Sequence, residues 1–228
     1  MNHDLVRRAT AEFVGTAFLL AAVVGSGIMA ERLSADVGLQ LFQNAFATAG
    51  VLAALIVAFG PISGAHFNPA VTLTDLALGG LDRRSAGVYV VAQIAGGAIG
   101  VMTANVMFDL DPIVMSTKDR SESHLVIAEV IATLGLLLII FLTLRRGNAH
   151  AIPFAVGAYI GGAYYFTSST SFANPAVTLA RTLSDTFAGI EPASAPAFIV
   201  AQLVAVGIGV PLIKVLTGPA PAGAGYQA

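Results

Sequence analysis

The chain has 228 residues, 56% of them apolar and only 24 charged (11 Lys+Arg and 13 Asp+Glu), for a net charge of −2 at pH 7. A soluble domain carries roughly 25% charged residues, so the 11% found here excludes a water-soluble particle, and the lack of a basic surplus excludes a nucleic-acid binder. No cysteine is present, which excludes a disulfide framework and any thiolate nucleophile or thiolate metal site.

A spanning helix needs about 20 mostly apolar residues. In chain order, six windows meet that need: 9–30, 39–60, 86–108, 125–144, 151–173 and 197–216. The first follows Arg7 and Arg8 but carries Glu12 where a cleavable leader is uninterrupted, so it is read as a retained span. Between the second and third windows lies an apolar stretch, 69–81, too short to cross, and a second such stretch, 175–190, precedes the last window. A polar linker, 110–124, separates the third window from the fourth. The tail from Gly218, "GPAPAGAGYQA", has a disordered composition. An even number of spans puts both termini on one side. That side carries Arg7, Arg8, Arg83, Arg84, Arg145, Arg146 and Lys214 against Arg32, Lys118, Arg120 and Arg181 on the other, so both termini are expected in the cytoplasm.

The two short stretches open identically, Asn68-Pro69-Ala70-Val71-Thr72-Leu73 and Asn174-Pro175-Ala176-Val177-Thr178-Leu179, 106 positions apart. "YVVAQIAGGAIG" (89–100) is echoed by "FIVAQLVAVGIG" (198–209), and Ala11-Glu12 by Ala128-Glu129. The echoes keep their order, so the chain is an internal repeat. A single transmembrane domain is expected over 1–217, with repeat one at 1–115, repeat two at 120–217 and a disordered tail at 218–228. Each half holds three spans, an odd number, so the second half lies inverted in the bilayer and the short stretches dip in from opposite faces.

Asn before Pro is a helix-start signature, because Asn caps well and the missing proline N–H is not needed at the first helical position. Each pair opens a half-helix of about ten residues after a small, polar approach, "GPISGAHF" or "TSSTSF". Non-helical backbone at membrane depth survives only when buried in protein or lining a wet cavity. Two inverted half-helices bring their positive N-termini together near the midplane, which disfavours a cation. The Asn amides can still donate to a water oxygen.

These motifs, "SGAHFNPAVT" (63–72) and "SFANPAVT" (171–178), with Glu12, Glu129 and Gln93, resemble the aquaporin (major intrinsic protein) family over about residues 8–214. The resemblance implies an all-α membrane protein, a right-handed bundle of six transmembrane helices plus two re-entrant half-helices, with one pore per subunit of a homotetramer. It also implies exclusion of cations by the half-helix dipoles. Water-selective members narrow the pore with an aromatic, a His, a small residue and an Arg. The positions that match here are Thr48, twenty before Asn68; Gly162, twelve before Asn174; Ser171; and Val177. A widened, arginine-less filter follows, unless one of Phe46, Tyr159, Tyr164, Tyr165 or Phe166 folds in. Phe46 is also taken as pore-lining. Val at the Arg position together with Thr on the second span resembles a bacterial branch associated with arsenic-resistance operons.

Arg181, one turn past Val177, either reaches back to the pore or pairs with Asp185. Glu12 and Glu129 lie inside spans and are functional by default; both, with Gln93, are expected to brace the re-entrant loops rather than carry protons, while Gln202 faces a helix interface or repeats the role of Gln93. His66 either lines the pore or braces its loop, and His150 is expected to be an interfacial anchor. The spacings Gly96 to Gly100 and Gly157 to Gly161 suit close helix crossings. No metal site, cofactor or enzymatic constellation is evident. The expectation is therefore a passive inner-membrane channel for water and small uncharged solutes, namely glycerol-like polyols and arsenic hydroxides or methylated arsenicals. An ion-coupled carrier and a pore-less structural member of the same fold remain the alternatives.

Overall fold

The structure, a computed structural model, describes residues 3–218. The tail expected to be disordered lies outside the described residues, apart from Gly218. Among the described residues eight α-helices follow one another: α1 His3–Leu33, α2 Val37–Ser63, α3 Pro69–Leu78, α4 Arg83–Met107, α5 Ser123–Arg145, α6 Ile152–Phe166, α7 Pro175–Ala180 and α8 Ala195–Thr217. Five of them (α1, α2, α4, α5 and α8) are long and apolar enough to cross a membrane. Only 17% of the most apolar stretch of α2 is buried within the chain. Large side chains such as Phe18, Val57, Val91, Phe154 and Val215 stand exposed around the bundle. Apolar surface on this scale has no place in water and belongs against lipid.

The window 151–173 is not helical throughout. α6 stops at Phe166, and 167–174 carries no helix. The run Thr167-Ser168-Ser169-Thr170-Ser171 supplies hydroxyls that compete with the helical ladder: Thr167 Oγ1 donates back to Ala163 O, while Ser169 Oγ accepts from Ser171 N–H and donates across to Glu129 on α5. With its preceding 3-10 turn, Ala149–Ala151, α6 is about 28 Å long, close to the hydrocarbon core of about 30 Å. The second short stretch is also shorter than its window, because α7 gives way to a 3-10 turn at Arg181–Leu183 and then to irregular backbone.

Packing follows the repeat. α1 packs on α4 and α2, α5 packs on α8 and α6, and α2 meets α6 across the two halves. α3 and α7 touch each other and wedge between α4 and α8. Close crossings depend on glycine: a Cβ at Gly96 or Gly100 would run into the backbone carbonyls of Phe13 or Ala17, and one at Gly157 would press on that of Ala49. The linker between the halves is extended and pairs with the segment after α7, through Val114 N–H to Leu183 O (3.1 Å) and Ser116 N–H to Thr182 O (2.9 Å). This pairing builds the rim of the molecule opposite the start of α1 and the end of α8.

Candidate functional site

Each half-helix begins on its asparagine. Asn68 Oδ1 accepts from Ala70 N–H (2.8 Å), and Asn174 Oδ1 accepts from Ala176 N–H (2.9 Å) and Val177 N–H (3.3 Å). Pro69 and Pro175 follow at the first helical position, where no N–H is required. The amides are cross-linked: Asn68 Nδ2 donates to Ala173 O (2.7 Å) and Asn174 Nδ2 to Phe67 O (2.8 Å). An amide NH2 has two hydrogens, so each Asn keeps one for a passing oxygen.

The approach loops are held in costly backbone. Ala65, Phe67, Ser171 and Ala173 have φ of 49°, 50°, 52° and 48°, a left-handed conformation that costs a non-glycine residue roughly 1–2 kcal/mol. Two buried carboxylates hold it. Glu12 accepts from Ser63 Oγ (2.6 Å), His66 N–H (3.0 Å), Phe67 N–H (2.7 Å) and Gln93 Nε2 (2.7 Å). Glu129 accepts from Ser169 Oγ (2.7 Å), Phe172 N–H (2.9 Å), Ala173 N–H (2.8 Å) and Gln202 Nε2 (2.7 Å). The donors correspond position by position under the repeat. Gln202 also bonds Thr178 Oγ1 at 2.9 Å, as Gln93 bonds Thr72 Oγ1 at 2.9 Å, so Gln202 repeats the Gln93 arrangement rather than merely facing a helix.

A cavity of about 710 Å³ runs past these groups. It is bordered by Arg8, His66, Asp75 and His150 near the start of α1, passes Asn68 and Asn174, and extends to Thr48, Tyr164, Ser171, Val177 and Arg181. His66 both borders the cavity and braces its loop, with Nδ1 3.1 Å from Thr72 Oγ1 and Nε2 3.7 Å from Asp75. His150, expected as an anchor, stands at the cavity.

Two of the residues expected in the pore lie elsewhere. Gly162 and Phe46 border a separate lateral groove between α2 and α6; Phe46 is 73% exposed and a Cβ on Gly162 would meet nothing within 4 Å. The pore face of α6 is Val156, Ile160 and Tyr164, mirrored on α2 by Thr48, Leu52 and Ile56. At about 100° per residue, Gly162 points away from Ile160 and Tyr164. Tyr164, two residues beyond Gly162, borders the cavity instead. Its hydroxyl stands 3.2 Å from Thr48 Oγ1, so an aromatic does fold in. Tyr159 is held instead by Ala132 O at 3.0 Å, and Tyr165 and Phe166 are exposed.

Position 177 carries no cation, yet the cavity is not free of arginine. Arg181, 2% exposed, borders it, donates Nε to Ala188 O and lies 3.4 Å above the Phe172 ring. It does not pair with Asp185, which accepts instead from Thr117 N–H (2.9 Å). Phe172 went unnoticed in the sequence, although the repeat places it at the position of His66. The rim cations hold the chain through carbonyls: Lys118 to Phe187 O (2.8 Å) and Arg120 to Gly189 O (3.0 Å) and Ser169 O (3.3 Å). Burial lowers the pKa of both, and the neighbouring Arg120 and Arg181 add to the effect at Lys118.

Among solved structures, the fold matches an aquaglyceroporin from Plasmodium falciparum with a TM-score of 0.67 and 20% identity, over 92% of this chain and 99% of that one. The sequence is 48% identical to aquaglyceroporin AqpS of Rhizobium meliloti (strain 1021) over 217 residues, 95% of this chain and 93% of the relative. It is 34% identical to the lens fiber major intrinsic protein of Ovis aries over 175 residues, 70% of this chain and 64% of that protein. The major intrinsic protein family, a family of membrane channels and not of enzymes, matches residues 1–165. The chain, a multi-pass membrane protein, therefore belongs to the major intrinsic protein family.

Proposed function

We propose that the protein is a passive pore for water and small uncharged solutes, glycerol-like polyols first among them. One observation carries this: Asn68 and Asn174 each commit one amide hydrogen to the opposite loop and keep one for the cavity they border. A solute oxygen can exchange its water partner for these donors, whereas a cation meets two positive helix ends there. The filter on this proposal comprises Thr48, Tyr164, Ser171 and Val177, with Val177 supplying an apolar wall for carbon-bearing solutes. The relative named an aquaglyceroporin supports the polyol cargo. Arsenic hydroxides and methylated arsenicals, close to glycerol in size and polarity, are proposed as further cargo. The protein is proposed to work as a homotetramer in a bacterial cytoplasmic membrane, with both termini inside. Four donors engage each intramembrane carboxylate, which leaves neither Glu12 nor Glu129 available for ion coupling and argues against a carrier.

Stopped-flow light scattering on proteoliposomes tests the proposal. Water and glycerol flux are both expected to rise above those of empty vesicles. Flux at the empty-vesicle level for both would refute the channel and favour a pore-less member of the fold.

A further inference from the structure

The guanidinium of Arg181 is committed on one side only. Its Nε serves the Ala188 carbonyl, its Cζ lies over the Phe172 ring 3.4 Å from the centroid, and no described acceptor bonds its two Nη groups. No carboxylate among the described residues lies within salt-bridge distance of it; the ion pairs there involve Arg7, Arg8, His66 and His124. Nor does Arg120, beside the same ring at 5.0 Å, have a carboxylate partner there. A buried cation without a counter-charge is costly, and this one borders the cavity. A second group there is also unpartnered: Ser171 Oγ is buried, borders the same cavity and makes no hydrogen bond. Buried polar groups in native structures are normally satisfied, so two such groups bordering one cavity point to a passing ligand rich in oxygen.

We propose that Arg181 supplies the guanidinium missing from position 177, displaced one turn along the chain. There it repels cations and offers paired Nη donors, with Ser171, to solutes carrying adjacent hydroxyl oxygens. The inference rests on the channel reading above. Phe172 sets the geometry: its ring fixes the plane of the fork, and Phe198 packs edge-on against it with centroids 5.2 Å apart. The fork is therefore preorganised by stacking and by one carbonyl. Vicinal diols and small hydroxides of the same reach fit such donors, and Val177 faces their carbon side.

Arg181 also braces the segment Phe187-Ala188-Gly189, so the test must separate a pore role from a holding role. Wild type, Arg181→Gln, Arg181→Lys and Arg181→Gln/Val177→Arg are compared in proteoliposomes for water flux, glycerol flux and proton leak, the last with an entrapped pH dye. Gln keeps an amide donor for Ala188 without the charge. Arg181→Gln is expected to conduct water above the empty-vesicle level while its proton leak rises about tenfold or more, the lower part of what one charge imposes at 4 Å between dielectric constants of 80 and 20. Arg181→Lys keeps the charge and loses the fork, so its proton leak stays low and its glycerol-to-water ratio falls. Val177→Arg in the Gln background restores proton exclusion. The proposal is overturned by a water-conducting Arg181→Gln that leaks protons no faster than wild type. It is also overturned by loss of water flux in Arg181→Gln that Val177→Arg does not restore, which would leave Arg181 a holding role alone. Absent water flux in wild type would instead refute the channel reading itself.

Discussion

Glu129→Gln tests the energetics of the pore directly. Glu129 takes four hydrogen bonds, two on each oxygen: Ser169 Oγ and Phe172 N–H on Oε1, Ala173 N–H and Gln202 Nε2 on Oε2. Glutamine has the same shape but only one acceptor oxygen. Its NH2 necessarily faces two of the four donors, which are then buried and unpaired. Each such donor costs about 1–3 kcal/mol, so the substitution destabilises the second re-entrant loop by roughly 2–6 kcal/mol. That is comparable with the 5–15 kcal/mol by which ordinary folded domains are stable. The loop has little reserve, because Ser171 and Ala173 already sit at positive φ. A lower melting temperature in detergent and water flux close to the empty-vesicle level are expected. Glu12→Gln should match it, since its four donors are the repeat equivalents. Wild-type stability and flux in either variant would refute the bracing account.

Four further outcomes follow from the geometry. Gly15→Ala drives a methyl group into the Phe67 ring; overpacking of this kind costs about 1–3 kcal/mol, and both detergent stability and flux should fall. Val177→Arg puts a long cation beside Tyr164 and Ser171, so the glycerol-to-water permeability ratio should drop several-fold in stopped-flow assays. Tyr164→Ala empties the place where the Thr48 contact now closes the wall, and uptake of solutes bulkier than glycerol should increase. Gly162→Ala adds its methyl group where nothing lies within 4 Å and should leave the glycerol-to-water ratio alone; a changed ratio would put Gly162 back in the constriction.

Most of the scaffold is legible from the repeated motif. Asn68 and Asn174 signal the half-helix starts because capping chemistry is local, and the Glu12 and Glu129 echo points to the braces because their loop partners recur with the motif, 106 positions apart, and their glutamine partners with the second echo. The end of α6 is hidden, because an apolar window does not register the Thr167 hydroxyl turning back to Ala163 or the Ser169 hydroxyl reaching Glu129 on α5. Gly162 misleads because a count of residues assumes a loop length, and an error of two residues carries a helical position to the opposite face. Tyr164, only two residues on, borders the cavity instead. Arg181 is ambiguous in sequence because both Asp185 and the cavity lie within its reach. Thr117 decides the matter by occupying Asp185, a long-range contact that no local pattern encodes. Phe172 is signalled by the repeat, 106 positions after His66.

The central claim is that solutes cross passively through the cavity shared by the two asparagines. Glycerol flux into proteoliposomes, measured over a wide range of gradients with and without a protonophore, tests it most directly. A pore predicts flux that rises in proportion to the gradient and ignores the protonophore. Saturation at modest gradients, or loss of flux when the proton gradient collapses, would contradict it.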